Sequence, residues 1–205
     1  MKELHASVAI VGIGGIFPDA ADLSAFWNNI QACRSSFREI PAGRWMVSAG
    51  TLFDPEVGKP DCVYSRSGCF IDQLPSVATL PDLAVDATRL EGLDPLFSLL
   101  IHAGKRAFDD GVNAPLDRSR VGVIVGNLAL PTETSTLLTR NWLGRTFEEQ
   151  LTGKASSPSA TSPLNRYPTG LPAGILAQAL GLGGGCCTID AACASSLYAI
   201  KLAMD

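Results

Sequence analysis

The sequence predicts an α/β domain, because short apolar strands alternate with helices along its 205 residues. Three segments are short, continuous and apolar, which is typical of buried strands: residues 8–11, 121–125 and 186–190. Segments with helical periodicity lie between and after them. An alternation of this kind favours at least some parallel pairing of the strands.

The first predicted strand, 8–11, ends at a glycine cluster. Four apolar residues then recur at helical spacing: Leu23, Phe26, Trp27 and Ile30. Asp22 precedes them and is placed to cap the helix N-terminus. Residues 41–94 are rich in Pro, Gly, Asp and Ser, which predicts long surface connections with one short strand. A long irregular excursion inside one domain is often functional or part of an interface.

A second helix is predicted to begin at Asp94, because a capping residue is followed there by Pro95 at the first helical position. Gly111 is placed to end this helix. Its predicted buried face has four members: Leu96, Leu100, Ala103 and Ala107. The strand 121–125 follows, and the pattern over 137–151 indicates a further helix.

The last part of the sequence ends in a sharp turn between a strand and a helix. Residues 152–166 carry Ser, Pro and Thr and predict a loop, and 172–180 predict a helix. The third buried strand, 186–190, then turns into a helix over 194–204. Apolar and amphipathic residues recur along this final helix: Leu197, Ile200, Lys201 and Met204.

The composition is that of a globular protein, with 46% hydrophobic and 18% charged residues. The net charge of -4 provides no global basic field for nucleic acid or anionic lipid, so neither is expected as a partner. No segment reaches the roughly 18 apolar residues of a membrane span. The six cysteines show no repeated spacing, which indicates reduced thiols in a cytoplasmic protein rather than a disulfide framework.

The residues with the clearest chemical potential lie at the turn around Cys193. A helix begins at or just after this cysteine, and the free N–H groups and positive dipole end of a helix stabilise a thiolate. The thiolate is the nucleophilic form of cysteine. The backbone N–H of Cys193 is also placed to form half of an oxyanion hole. The local pattern alone leaves open a second interpretation, in which Cys193 is a small buried core residue.

The segment 190–197, DAACASSL, resembles the active-site signature of the β-ketoacyl synthases, the condensing enzymes of fatty acid and polyketide assembly. The resemblance is greatest to ketosynthase domains of large multienzymes of the polyketide or polyunsaturated fatty acid synthase type. Further similar segments occur in the family's order: 8–18, Phe26-Trp27, Ile40-Pro41, Arg44-Trp45 and 120–126. Three positions depart from the family pattern: Leu96 replaces Gln, Gly185 replaces Pro, and Lys201 replaces His.

This resemblance implies a thiolase-like fold, with residues 1–205 as the N-terminal part of a β-ketoacyl synthase domain that ends shortly after the nucleophile. Cys193 is implied to accept an acyl group from the phosphopantetheine of an acyl carrier protein. A decarboxylative Claisen condensation with a malonyl thioester then follows in the full-length domain, which is implied to be a homodimer. No bound cofactor and no metal are implied.

The condensation step requires more than the nucleophile. In the family, two histidines and a lysine from the C-terminal half of the domain support it. The two histidines of this chain, His5 and His102, match neither family motif. The fragment is therefore expected to lack condensation and, at most, to be acylated.

Three other interpretations were weighed. A dinucleotide-binding loop is disfavoured, because Gly12 and Gly14 fit its glycine pattern but Phe17 replaces the third glycine. A metal site at Cys186, Cys187 and Cys193 is disfavoured because adjacent strand residues point to opposite faces, and core packing explains Cys186 and Cys187 better. A non-catalytic ketosynthase-like partner subunit is the strongest alternative, but such subunits typically lack the cysteine.

Overall fold

The structure is a computed structural model that describes residues 8–45, 47–73, 76–111, 115–130, 132–154 and 157–205. The described helices are α1 (Leu23–Gln31), α2 (Ala49–Leu52), α3 (Pro95–Gly111), α4 (Glu133–Thr139), α5 (Arg145–Thr152), α6 (Leu171–Leu180) and α7 (Ser195–Met204). The described strands are β1 (Arg38–Glu39), β2 (Ser67–Gly68), β3 (Val123–Gly126) and β4 (Cys186–Ile189). The predicted α/β class is confirmed. Gly15–Leu74 forms one compact unit, and the rest of the chain forms the other.

The smaller unit contains α1, α2 and the antiparallel pair of β1 and β2. The predicted cap of α1 is confirmed, since the Asp22 carboxylate accepts a hydrogen bond from the Ala25 N–H at 2.8 Å. The rings of Phe17 and Phe26 stack with their centroids 4.1 Å apart. The short strand β2 lies inside the segment predicted to be mostly irregular.

The larger unit is organised around the parallel pair of β3 and β4, with Val123 opposite Cys186. The chain between these strands includes α6, which packs against both of them and against α3. Helix α6 is apolar around most of its circumference, and seven of its ten residues are buried. It ends at Gly181, whose φ of 63° is the left-handed conformation that glycine adopts without strain. The predicted helix 172–180 is therefore confirmed.

Helix α3 has the predicted bounds but a different buried face. The Asp94 carboxylate accepts the Leu96 N–H at 2.9 Å, as expected of a cap. The most buried side chains are Phe97 and Ile101, whereas the four residues of the predicted face are only half-buried. The sequence pattern shows one apolar stripe, but α6 and the segment before Gly15 cover α3 on different sides.

The helix predicted over 137–151 begins four residues earlier than expected. Thr132 and Ser135 form a reciprocal capping box at the start of α4. A π-helical turn, Arg140–Gly144, joins α4 to α5, so the helical path continues to Thr152. The capping box has Ser instead of Glu at its third helical position, which is why the expected start signal is absent from the sequence.

Two predictions about strands are wrong. Residues 8–11 are exposed and belong to no strand, with Ile10 85% and Val11 73% accessible. The segment runs against α3 instead, where a Cβ at Gly12 would lie 2.3 Å from the carbonyl oxygen of Ala107. The third strand forms as predicted, but Cys186 and Cys187 are exposed rather than packed in a core. Among the described residues, no strand pairs with the outer edge of β3 or β4.

No helix in the described part of the chain is both long and apolar enough to cross a bilayer. His5 lies outside the described residues.

His102 is buried in α3, and both of its ring nitrogens lack a hydrogen-bond partner. Burial lowers the pKa of His102, and the charge of Arg106 lowers it further. The Ser76 backbone raises the pKa of His102 and so opposes this shift, although neither ring nitrogen of His102 has a hydrogen-bond partner of normal geometry. His102 is therefore held neutral inside the fold.

We expect the protein to lose stability in mild acid because of His102. The unfolded chain binds a proton near pH 6.5, while the folded chain binds it only at lower pH. The free energy of unfolding should therefore fall as the pH drops below about 6.5, and level off below the lowered pKa. Urea unfolding of the wild type and of His102→Leu at pH 7.5 and pH 5.5 tests this. An equal pH dependence in both proteins would contradict it.

Candidate active site

Cys193 lies in a tight elbow between β4 and α7. The strand ends at Ile189, a 3-10 turn spans Ala192–Ala194, and α7 begins at Ser195. The Cys193 side chain is exposed. The prediction that a helix begins just after this cysteine is confirmed. The alternative that Cys193 is a buried core residue is wrong, because its thiol is open to solvent.

The backbone of the elbow is strained at the residue before the cysteine. Ala192 has a φ of +50°, a left-handed conformation that residues with a Cβ rarely adopt. Such a conformation persists only where neighbouring contacts hold it, and it is found often at active sites. The contacts that hold it here come from Asp190 and Ser195.

Asp190 connects the elbow to the loop that follows β3. One carboxylate oxygen accepts the Ala192 N–H at 3.0 Å, and the other accepts the Ala129 N–H at 3.1 Å. These two hydrogen bonds, the Ala192 bond first, lower the pKa of Asp190. The carboxylate is consequently ionised at neutral pH and holds the strained residue in place. Asp190 therefore orients the elbow through its hydrogen bonds.

Ser195 fixes the elbow from the other side. Its hydroxyl oxygen accepts the Ala191 N–H at 2.9 Å and donates to the Ala192 carbonyl oxygen at 2.7 Å. The side chain is buried, so these bonds are shielded from water. Ser195 therefore satisfies polar groups of the turn that precedes the helix.

The close approach of β3 to α7 depends on Gly126. A Cβ at this position would lie 2.7 Å from the carbonyl carbon and oxygen of Ser195, and 3.0 Å from the Ser196 nitrogen. All of these are backbone atoms, which cannot rotate away. Glycine therefore allows the strand end to contact the start of the helix directly behind Cys193.

Asn127 was not singled out from the sequence, yet it joins three segments of the site. Its N–H donates to the Ile189 carbonyl oxygen at 2.9 Å. Its side-chain amide donates to the Pro168 carbonyl oxygen at 2.8 Å. The only local signal is its position directly after a predicted strand, where polar residues often reach a site.

An apolar cavity of about 710 Å³ opens beside the elbow. Ala129, which bonds to Asp190, lines one part of it, and Leu143, Phe147 and Pro168 line the rest with their neighbours. The volume lies within the roughly 300–1,000 Å³ of small-molecule sites. Its apolar walls suit a hydrocarbon chain better than a polar ligand.

The described residues hold no group of three His, Cys, Asp or Glu side chains arranged to bind a metal ion. All six cysteines are free thiols. Cys186 and Cys187, which were weighed as metal ligands, are exposed on β4.

The sequence resemblance implies that Cys193 reacts with acyl thioesters. Replacing Asp190 with Ala should slow that reaction several-fold, because the elbow loses both of its carboxylate hydrogen bonds. Asp86 provides a matched control, since its carboxylate also accepts the N–H two residues later, from Thr88 at 2.9 Å, but far along the chain from the elbow. Mass spectrometry of the acylated chain over time measures both rates. Equal slowing in Asp190→Ala and Asp86→Ala would contradict a specific role of Asp190.

The comparison with protein families matches residues 5–205 to the model described as "Beta-ketoacyl synthase, N-terminal domain". Over 203 residues the chain is 33% identical to the polyketide synthase ThaG of Burkholderia thailandensis, which covers 96% of this chain and 3% of that protein. It is 29% identical to the polyketide synthase PksL of Bacillus subtilis, with 96% and 4% covered. The chain thus spans only a small part of these relatives.

Among solved structures, "PfaC Keto synthase-Chain length factor" superposes with a TM-score of 0.80 and 29% identity, covering 95% of this chain and 22% of that one. The oxazolomycin ketosynthase domain OzmH KS7 from Streptomyces albus superposes with a TM-score of 0.64 and 24% identity, covering 95% and 30%. The second likeness concerns the fold alone. Both support the predicted thiolase-like architecture.

Proposed function

Because the chain belongs to the β-ketoacyl synthase family, we propose that it is the N-terminal part of a ketosynthase acyltransferase domain and that Cys193 is its nucleophile. The observation that carries this proposal is the exposed Cys193 thiol, which lies in a strained elbow two residues before the start of α7. The backbone of that elbow is fixed by Asp190 and Ser195.

In the proposed reaction the Cys193 thiolate attacks the carbonyl carbon of an acyl thioester carried on phosphopantetheine. A new carbon–sulfur bond forms, the carbon–sulfur bond to the carrier breaks, and the carrier thiolate takes up a proton. The Cys193 N–H is expected to donate to the carbonyl oxygen as negative charge develops there.

The acyl chain is proposed to occupy the apolar cavity beside the elbow. Ala129 lines this cavity and its N–H donates to Asp190, so a hydrogen bond joins one wall of the cavity to the elbow. Burial of a hydrocarbon chain contributes roughly 0.8 kcal/mol for each methylene group.

The condensation step is proposed for the full-length catalytic domain. That step takes a malonyl thioester, releases carbon dioxide and joins the carbanion to the acyl group on Cys193. In the described chain His102 is enclosed in α3, so it is not available to an enolate. The proposal includes an acyl carrier protein as the partner, a homodimer as the assembled form, and no bound cofactor.

A ketosynthase-like partner subunit without catalysis is the second candidate function. One observation favours it: the solved PfaC chain is named for a chain length factor as well as a keto synthase. Exposure of Cys193 favours the enzyme. Cerulenin, an acyl mimic that alkylates ketosynthase cysteines, separates the two, because a partner subunit should stay unmodified.

The decisive experiment incubates the purified chain with octanoyl-pantetheine and locates the acyl group by peptide mass spectrometry. We expect a thioester at Cys193 that is labile to hydroxylamine. Cys186 and Cys187 are the internal controls, since both are exposed on the adjoining strand but precede no helix. Absence of the adduct, or its even distribution over the exposed thiols, would refute the role of Cys193.

A further inference from the structure

We propose that Arg166 binds a carboxylate at the distal end of the acyl chain, so that the site accepts acyl groups that carry a terminal carboxylate. The inference rests on the proposed function, in which Cys193 holds the other end of that chain. It concerns specificity and adds no covalent step.

The Arg166 guanidinium lies over two aromatic rings. Its guanidinium carbon lies 5.4 Å from the centroid of the Trp142 ring and 4.9 Å from that of the Tyr167 ring. A cation–π contact of this kind favours one position of the guanidinium and does not use up its N–H hydrogen bonds. Within the described residues, no carboxylate lies within ion-pair distance of Arg166, and no hydrogen bond from its side chain is formed.

The other arginine at this location is already engaged. Arg140 lines the large apolar cavity, and its guanidinium donates to a Glu148 carboxylate oxygen at 2.9 and 3.1 Å. The two arginines thus differ in state: Arg140 is neutralised by an acid, and Arg166 is solvated and stacked. A ligand anion would gain a new partner only at Arg166.

Arg166 and Trp142 line a second cavity of about 310 Å³. It shares four lining residues with the larger apolar cavity: Ser135, Thr139, Leu143 and Pro168. The two cavities are therefore neighbours along one surface, with Ala129 bordering the first and Arg166 bordering the second. The Ala129 N–H donates to Asp190 of the elbow. A ligand that fills both cavities would have an apolar middle and would contact the Arg166 guanidinium at one end.

The residue before Arg166 anchors its backbone. Asn165 is buried, its side-chain oxygen accepts the Asp94 N–H at 2.7 Å, and its amide donates to the Gly92 carbonyl oxygen at 2.9 Å. A binding group on a fixed backbone loses little conformational entropy when its ligand arrives. Arg166 is in this sense preorganised.

A carboxylate matches these features better than other chain ends. Its two oxygens accept two parallel N–H bonds from the guanidinium plane, which the stacked rings already orient. A methyl end would leave the guanidinium solvation unchanged and gain nothing from it. A charge-assisted bond at such a partly exposed position corresponds to about a tenfold preference.

The test compares acylation of Cys193 by two pantetheine thioesters of equal length, octanoyl and 7-carboxyheptanoyl. We expect the wild type to react at least as fast with the carboxylated thioester. Arg166→Gln should lower the ratio of carboxylated to plain acylation rates about tenfold, and Arg166→Lys should lower it less. Arg120→Gln is the matched control, because Arg120 is exposed and lines neither cavity. An unchanged ratio in Arg166→Gln would overturn the proposal.

A second measurement does not depend on acyl transfer. Cys193→Ser is titrated calorimetrically with the N-butyl amides of octanoic acid and of octanedioic acid, neither of which can acylate. We expect Arg166→Gln in this background to weaken binding of the carboxylated amide about tenfold and to leave the plain amide unaffected. Equal effects on both amides would sink the proposal.

The two measurements separate failure of this inference from failure of the proposed function. If Cys193 is acylated but Arg166→Gln changes neither the rate ratio nor the amide affinities, only the inference fails. If the carboxylated amide binds through Arg166 but Cys193 is never acylated, the site at Arg166 stands and the role of Cys193 fails.

Discussion

Replacement of Cys193 by Ala should abolish thioester formation, lowering the acylation rate by about a thousandfold or more, because no other group takes the place of a lost nucleophile. The fold should be unaffected. Cys193 is exposed, and substitutions of exposed residues usually change the free energy of unfolding by less than about 0.5 kcal/mol. Radiolabelled or mass-tagged octanoyl transfer measures the first effect, and thermal unfolding measures the second.

The matched control for this experiment is Cys187→Ala. Cys187 is also exposed and belongs to the strand that leads into the elbow, so both variants lose one accessible thiol. We expect Cys187→Ala to be acylated at the wild-type rate. If both variants lose acylation equally, reactivity follows from thiol exposure and not from the elbow.

Replacement of Gly126 by Ala should both destabilise the protein and displace the elbow. The added Cβ would lie 2.7 Å from backbone atoms of Ser195, so the strand end and the start of α7 must move apart. Overpacking against rigid atoms costs about 3 kcal/mol, which corresponds to a fall in Tm of about 10 °C for a chain of this size. Because the moved helix start adjoins Cys193, acylation should slow by more than tenfold.

Gly174→Ala controls for the general effect of replacing glycine near this site. The nearest atom to its Cβ is the Cys186 Sγ at 3.9 Å, an ordinary van der Waals contact. Gly174 lies inside α6, where alanine is more favourable than glycine by roughly 0.5–1 kcal/mol. We expect Gly174→Ala to be at least as stable as the wild type. A wild-type Tm in Gly126→Ala would show that the close approach to Ser195 is not needed.

Some features were predicted correctly because their signals are local. Asp22 caps α1 and Asp94 caps α3 through contacts within a few residues, and α6 ends at Leu180 as predicted. The elbow at Cys193 is local in the same way. A strand, a few small residues and a helix follow one another directly, so the position of the thiol before a helix could be inferred from order alone.

Burial was predicted less well, because it depends on which distant segments cover a residue. Residues 8–11 and Cys186 have the apolar character of buried strands, yet among the described residues nothing pairs with them on their open sides. The buried face of α3 differs from the predicted face for a related reason. Two separate partners cover that helix, and a single apolar stripe cannot reveal the second.

By itself the sequence determined the α/β class, the order of the elements from α3 to α7 and the turn between a strand and a helix at Cys193, since each follows from neighbouring residues. Only the tertiary structure brought Gly126 against Ser195, Ala129 to Asp190, and Arg166 over the Trp142 ring. Those contacts join residues that are distant in the chain or related by packing geometry, and neither periodicity nor local propensity specifies such pairs.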